Sequence, residues 1–302
     1  MHIPDGFLSA PVWLSLDLAA LPAVAYVARR AQSEAPENQI PLLGAMGAFV
    51  FAAQMINFPV GAGTSGHLLG SALLALVLGP AAACVVMTAI LMIQALVFQD
   101  GGVLALGANT FNMSLAGVAA GYLPWRLWGA AQWRKFAVFA GGMLSVLVGA
   151  ALAFTELWFS GVPMPRPLLV LSGGLFLLAG AIEGGITLAV FQAVERMNRS
   201  WVRDPRTFPL IPQAAVTAAA AILAMVGVLA ASAAPDILES FSRAIGLGGK
   251  ERALVATPFG GYEAEFIRSS WLSKATAGLA GLVAVVLCVW AWGRFLARRR
   301  NA

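Results

Sequence analysis

Charge is what this sequence has least of. Only 11% of its 302 residues are Asp, Glu, Lys or Arg, and 60% are hydrophobic, where a water-soluble domain carries roughly a quarter charged. That shortage excludes an ordinary soluble enzyme and points to a chain whose surface faces lipid. Cysteine is nearly absent. Cys84 and Cys288 each lie in an apolar run, so they read as small buried hydrophobes and offer neither a disulfide framework nor a thiolate metal pair. Histidine is as scarce, with His2 and His67 alone. The absence of a Walker A sequence excludes ATP hydrolysis by this chain. The absence of HExxH, with only two histidines to draw on, excludes an intramembrane metalloprotease. There is no internal repeat and no low-complexity tract. The opening MHIPDGFLSA has no basic region and carries Pro and Asp ahead of any apolar stretch, unlike a signal peptide. The N-terminus is therefore expected to be retained, with Met1 kept because His2 is too large a second residue for Met removal.

What is present is a succession of apolar runs. About 20 residues cross a bilayer core, and runs of that order occupy 8–28, 40–57, 106–125, 136–157, 168–194, 213–233 and 272–293. The run 67–98 is too long for one ordinary span, and Gly79-Pro80 interrupts it where Pro breaks a helix. Charge placement decides how to divide it. With two helices there and the N-terminus outside, Arg29, Arg30, Arg126, Arg134, Lys135, Arg196, Arg199, Arg203, Arg206 and the C-terminal Arg294, Arg298, Arg299 and Arg300 all fall inside. With one helix, the clusters from Arg126 to Arg206 move outside, against the positive-inside rule. The expectation is an all-α polytopic membrane protein. It has a seven-helix core over 1–197, a basic cytoplasmic linker over 198–212, and a two-helix module with an outer loop over 213–302, about nine transmembrane helices in all. The basic residues sit at helix ends and form no nucleic-acid patch; the net charge of +5 matters less than its placement.

In this topology both histidines lie on the outer face. His2 is at the free terminus, and His67 is expected to open the short third helix after NFPVGAGTSGH (57–67). A third outer loop, QDGGVLALGANTFN (99–112), is rich in Gly and side-chain amides. A chain starting X-His offers an α-amine, a backbone nitrogen and an imidazole in one fork. One further imidazole completes four nitrogens, a set that suits nickel(II) in a plane better than tetrahedral zinc or oxygen-seeking calcium and magnesium. Against this stands the ordinary reading: a His at position 2 is commonly a disordered terminal residue, and a His at a helix start commonly caps or is solvated.

Three segments resemble known motifs. MHIPDGFLS, NFPVGAGTSGHLLG (57–70) and QDGGVLALGANTFNM (99–113) are similar, in order, to the outer motifs of the NikM/CbiM family. These are the substrate-binding membrane subunits of nickel and cobalt energy-coupling-factor transporters, and the likeness covers roughly 1–200. PDILE (235–239) resembles, with Ile237 in place of a usual Gly, the motif of the family's two-helix partner NikN/CbiN, here fused. The resemblance implies a metal held by the Met1 amine, the His2 backbone nitrogen and the imidazoles of His2 and His67. It implies no resident cofactor, the ion being Co2+ or Ni2+ as transported ligand, with a lean towards cobalt. It implies partners in a CbiQ/NikQ-like coupling subunit and CbiO/NikO-like ATPases, and a plasma-membrane location with the C-terminus cytoplasmic. Asn57, Ser65, Asn109 and Asn112 could brace the ligands or simply cap and close loops. Asp5 would shape the turn Pro4-Asp5-Gly6. Glu183 and Asp17 are intramembrane carboxylates, functional candidates by default, with a structural hydrogen bond an equal alternative. Three other classes remain open: a vitamin-binding specificity subunit of the same architecture, a stand-alone ion channel or metal permease, and a purely structural assembly subunit that binds no metal.

Overall fold

The structure, a computed structural model, describes residues 1–302 except 35–39, 130, 198–209, 230, 233, 252, 253, 255, 301 and 302. Most of the expected linker 198–212 lies outside the described residues. The chain is mostly helical. The order is α1 (Ala10–Glu34), α2 (Ile40–Gln54), a two-stranded hairpin of β1 (Phe58–Gly61) and β2 (Thr64–Gly66), α3 (Ser71–Leu78) and α4 (Pro80–Ile93), which runs on as a π turn to Phe98. Then come α5 (Leu106–Asn109), joined through the π segment Thr110–Ala116 to α6 (Gly117–Trp128), and α7 (Arg134–Phe159) and α8 (Arg166–Met197). The last part holds α9 (Leu210–Val226), α10 (Ile237–Ala244) and α11 (Ser270–Arg300).

Among the described residues, five helices are long and apolar enough to cross a membrane: Ala10–Ser33, Pro80–Phe98, Arg134–Phe159, Arg166–Met197 and Ser270–Arg294. Ile40–Gln54 and Ala214–Val226 are shorter apolar helices. A helix satisfies its own backbone in lipid, and with these apolar helices the chain is a multi-pass membrane protein. The run 67–98 does divide at Gly79, whose φ of 82° and ψ of 154° end α3 before Pro80 starts α4; Pro at the first helical position forgoes only a donor that would be unpaired anyway.

Tight packing comes from small residues, as expected where lipid supplies no hydrophobic drive between helices. A Cβ on Gly142 of α7 would lie 2.8 Å from Cα of Gly184 on α8, so the two backbones touch there. The core beneath the hairpin is filled by Phe51, Phe98, Met46, Leu73, Leu74, Met87 and Ile90, all less than 2% exposed. The later helices α9 and α11 pack against α2 and against each other.

Three local expectations change. His67 does not open a helix. The Gly-rich stretch folds as the hairpin, turning through Ala62 and Gly63 at positive φ. Gly70 at φ 77° then starts α3 at Ser71, so His67 sits in the strand-to-helix connection. The loop 99–112 is shortened, because Leu106 already begins α5. The segment 234–271, expected as an outer loop, is partly helical: Asp236 caps α10 by accepting from Glu239 N at 2.7 Å, and the Glu239 side chain accepts from Asp236 N, a capping box.

Candidate metal centre

The first residues are drawn into the protein. Ile3 is 0% exposed and His2 8%. Asn109, at the end of α5, holds this segment on both sides: its Oδ1 accepts from Ile3 N at 2.8 Å and its Nδ2 donates to Ile3 O at 3.0 Å. Gly102 N donates to Ile3 O at 2.8 Å. The Asp5 carboxylate accepts from Val103 N and Leu104 N at 2.9 and 2.8 Å. A Cβ on Gly102 would lie 2.3 Å from Asp5 Oδ1, so only glycine lets the loop come this close. Asp5 therefore binds the loop 99–105 to the N-terminal segment, a wider role than shaping its own turn.

This anchoring delivers the Met1 amine to His67. The amine nitrogen lies 2.8 Å from His67 Nε2 and donates to Asp236 Oδ2 at 2.5 Å. His67 Nδ1 lies 3.0 Å from Leu68 O. A carbonyl only accepts, so Nδ1 carries the proton and Nε2 presents its lone pair to the amine. The His2 ring stacks on the His67 ring, with centroids 5.4 Å apart and planes at 12°. Both ring nitrogens of His2 are buried and without a hydrogen-bond partner. Buried polar atoms are normally paired, so this imidazole, unpartnered on both sides, is a candidate ligand. Asp100 Oδ2 stands 3.6 Å from His2 Nε2, held by a hydrogen bond of 2.5 Å from the Tyr262 hydroxyl.

The electrostatics favour bare nitrogens. Burial pushes both imidazoles well below their ordinary pKa, and the N-terminal ammonium pushes the same way against Asp100 and Asp236, so both rings are neutral near pH 7. Burial would raise Asp236, but the Met1 ammonium, by charge and by hydrogen bond, brings it down to about 2. Among the described residues no three His, Cys, Asp or Glu side chains converge as a metal-holding group. The donors gathered here are of another kind: a chain-terminal amine, a neighbouring backbone and two neutral imidazoles. A space of about 20 Å³ lies beside Met1, His67, Ser65 and Asp236, walled otherwise by Leu69, Val146, Phe176 and Ile237; the His2 ring does not line it. The 2.8 Å between amine and Nε2 is also the spacing of adjacent nitrogens around a planar ion with bonds of about 2.0 Å.

The remaining sequence candidates surround this point rather than join it. Ser65 donates from its hydroxyl to Ala234 O at 2.7 Å and from its backbone to Pro235 O at 2.8 Å, fastening the start of the segment 234–271 to β2. Asn112 donates to Glu156 Oε2 at 2.9 Å. Asn57 contributes a backbone bond, its carbonyl accepting from Ser232 N at 2.7 Å. Glu183, 1% exposed, accepts from Leu69 N and Gly70 N at 2.8 and 2.9 Å, anchoring the start of α3 just after His67. Asp17 accepts from Gly107 N at 2.7 Å, tying α1 to α5. Sequence reasoning missed Asp100, Asp236 and Tyr262. Asp100 was visible as the only carboxylate in its loop, and Asp236 as the first residue of a D-x-x-E capping pattern.

Comparison with known proteins follows the same outline. Residues 2–201 match the family described as the cobalt uptake substrate-specific transmembrane region, CbiM. A probable fused nickel transport protein of Lactiplantibacillus plantarum, LarMN, is 33% identical over 251 residues, 78% of this chain and 76% of that protein. The fused nickel transport protein NikMN of Rhodobacter capsulatus is 35% identical over 233 residues, 70% of this chain and 67% of that protein. A crystal structure of a truncated transition metal transporter superposes with a TM-score of 0.59 at 31% identity, covering 65% of this chain and 99% of that one.

Proposed function

The chain belongs to the CbiM family of cobalt uptake substrate-specific transmembrane regions, and on that footing we propose that it is the specificity subunit of an ATP-driven importer of the energy-coupling-factor type, capturing a divalent transition metal outside the membrane. Its relatives are cobalt and nickel transport proteins, and the metal is cargo rather than cofactor. The observation that carries the reading is the buried, doubly unpartnered His2 imidazole stacked on His67, whose Nε2 faces the Met1 amine at 2.8 Å.

In this reading the Met1 amine, the His2 backbone nitrogen, a His2 ring nitrogen and His67 Nε2 take four corners around the ion. Asn109 and Asp5 hold the fork in register, and Glu183 holds the His67 connection. Nickel is favoured. Two relatives aligned over 78% and 70% of this chain are fused nickel transport proteins, and planar nitrogen donors suit nickel(II). The N-terminal core and the fused two-helix module make nine crossings with the N-terminus outside. A separate coupling subunit and ATPases supply the energy. The largely exposed α1, with Leu14, Leu18, Leu21 and Tyr26 facing outward, offers the coupling subunit a docking face. Isothermal titration of the purified chain with nickel, cobalt and zinc tests the reading: tight, saturable 1:1 nickel binding supports it, and no binding of any of the three refutes it.

A further inference from the structure

The carboxylate on the Met1 amine comes from the other end of the chain. Asp236 lies 235 positions away, in the outer segment between α9 and α11. Its two oxygens divide their work: Oδ1 accepts from Glu239 N at 2.7 Å and so caps α10, while Oδ2 accepts from the amine at 2.5 Å. The backbone around it is stitched to the strand leading to His67. Ser65 N donates to Pro235 O, the Ser65 hydroxyl donates to Ala234 O, and Ser65 and Asp236 form a parallel bridge. One short segment therefore touches both the amine and the approach to the second imidazole. Phe241 of α10 packs edge-on to Phe154 of α7, centroids 5.1 Å apart, and keeps the segment seated.

We propose that Asp236 is a positioning residue for metal capture, and that through it the second module forms part of the metal site. The inference rests on the reading of the Met1 amine as a ligand. A free N-terminus swings through many conformations, and the fork binds tightly only if the amine is already aimed. Asp236 aims it beside Nε2 of His67. A metal-bound amine still carries two N–H bonds, so one can go on donating to Oδ2 while the lone pair serves the ion. The carboxylate thus supports the amine in both states, as acceptors behind metal-bound histidines do.

The test is nickel titration of the full chain in three variants. Asp236→Ser keeps a good helix cap but is too short to reach the amine, and its nickel affinity is expected to fall by about 10–100-fold. Asp236→Asn keeps cap and size and loses only charge, and should fall by less. Glu239→Ala weakens the same capping box without touching the amine and should bind nickel within about 3-fold of the parent. Parent-like affinity in Asp236→Ser overturns the proposal, as does an equal loss in Glu239→Ala, which would make the effect one of helix capping. A fourth chain, carrying one added N-terminal Ala, separates the two levels. If it binds nickel as the parent does, the amine is not a ligand and the reading beneath falls. If it loses affinity while Asp236→Ser does not, only the role of Asp236 falls.

Discussion

The Met1 amine nitrogen and His67 Nε2 lie 2.8 Å apart although 66 positions separate them in the chain. The β1–β2 hairpin brings His67 to the amine from one side, and the clamp of Asn109 and Asp5 on residues 3–5 brings the amine from the other. Each half of this arrangement can be tested alone.

Removing the His67 side is the simplest case. His67→Ala leaves the three nitrogens of the N-terminal fork and opens one corner. Nickel should still bind, with affinity lowered by at least about 10-fold and with added imidazole restoring part of it; titration with and without imidazole checks this. Unchanged affinity would remove His67 from the site.

On the other side, Asn109→Ala breaks both bonds to Ile3 without touching a proposed ligand. Loss of a residue that orients a ligand typically costs about 10–100-fold in metal affinity, and that range is expected here. A parent-like value would show that the N-terminus aims itself.

Glu183 tests the foundation beneath His67. Glu183→Ala leaves the Leu69 and Gly70 amides without their acceptor, at about 1–3 kcal/mol each. Thermal unfolding in detergent should shift clearly downward, and nickel affinity should fall with it. Glu183→Gln keeps one acceptor oxygen and should lie between. A protein as stable as the parent after Glu183→Ala would contradict the anchoring role.

The pH dependence has a definite sign. Burial holds both imidazoles neutral near pH 7, so they bring lone pairs without losing protons. The protons that nickel must displace are those of the amine and of the His2 amide. Binding therefore releases protons, and affinity falls as pH falls. Titrations in buffers of different ionisation enthalpy across about pH 6 to 8 measure the release; an affinity flat across that range would exclude the fork.

Much of this was legible in the sequence because it is local. The Gly79-Pro80 break and the long apolar runs follow from residue chemistry within a few positions, while the three N-terminal motifs and PDILE were legible through their resemblance to a known family. His67 was placed on the right segment but in the wrong element, because Gly61 and Gly63 turn a stretch that reads as a loop into a hairpin. The partners of the terminus were not legible. Asp236 reaches Met1 across 235 positions, and Tyr262 reaches Asp100 across 162. No periodicity or spacing encodes such pairs; only the packing of the segment 234–271 onto the hairpin and onto the loop 99–105 creates them. Glu183 shows the opposite limit: a buried carboxylate in a span invites a transport role, yet its two oxygens are taken up by two backbone amides.

The central claim is that the unextended terminus is itself the binding element, and adding one Ala ahead of Met1 tests it most directly. The variant keeps both histidines, Asn109 and every helix, and removes only the amine from its place beside His67. Nickel titration should show high-affinity binding lost in the extended chain and present in the parent. Equal affinity in the two would contradict the account.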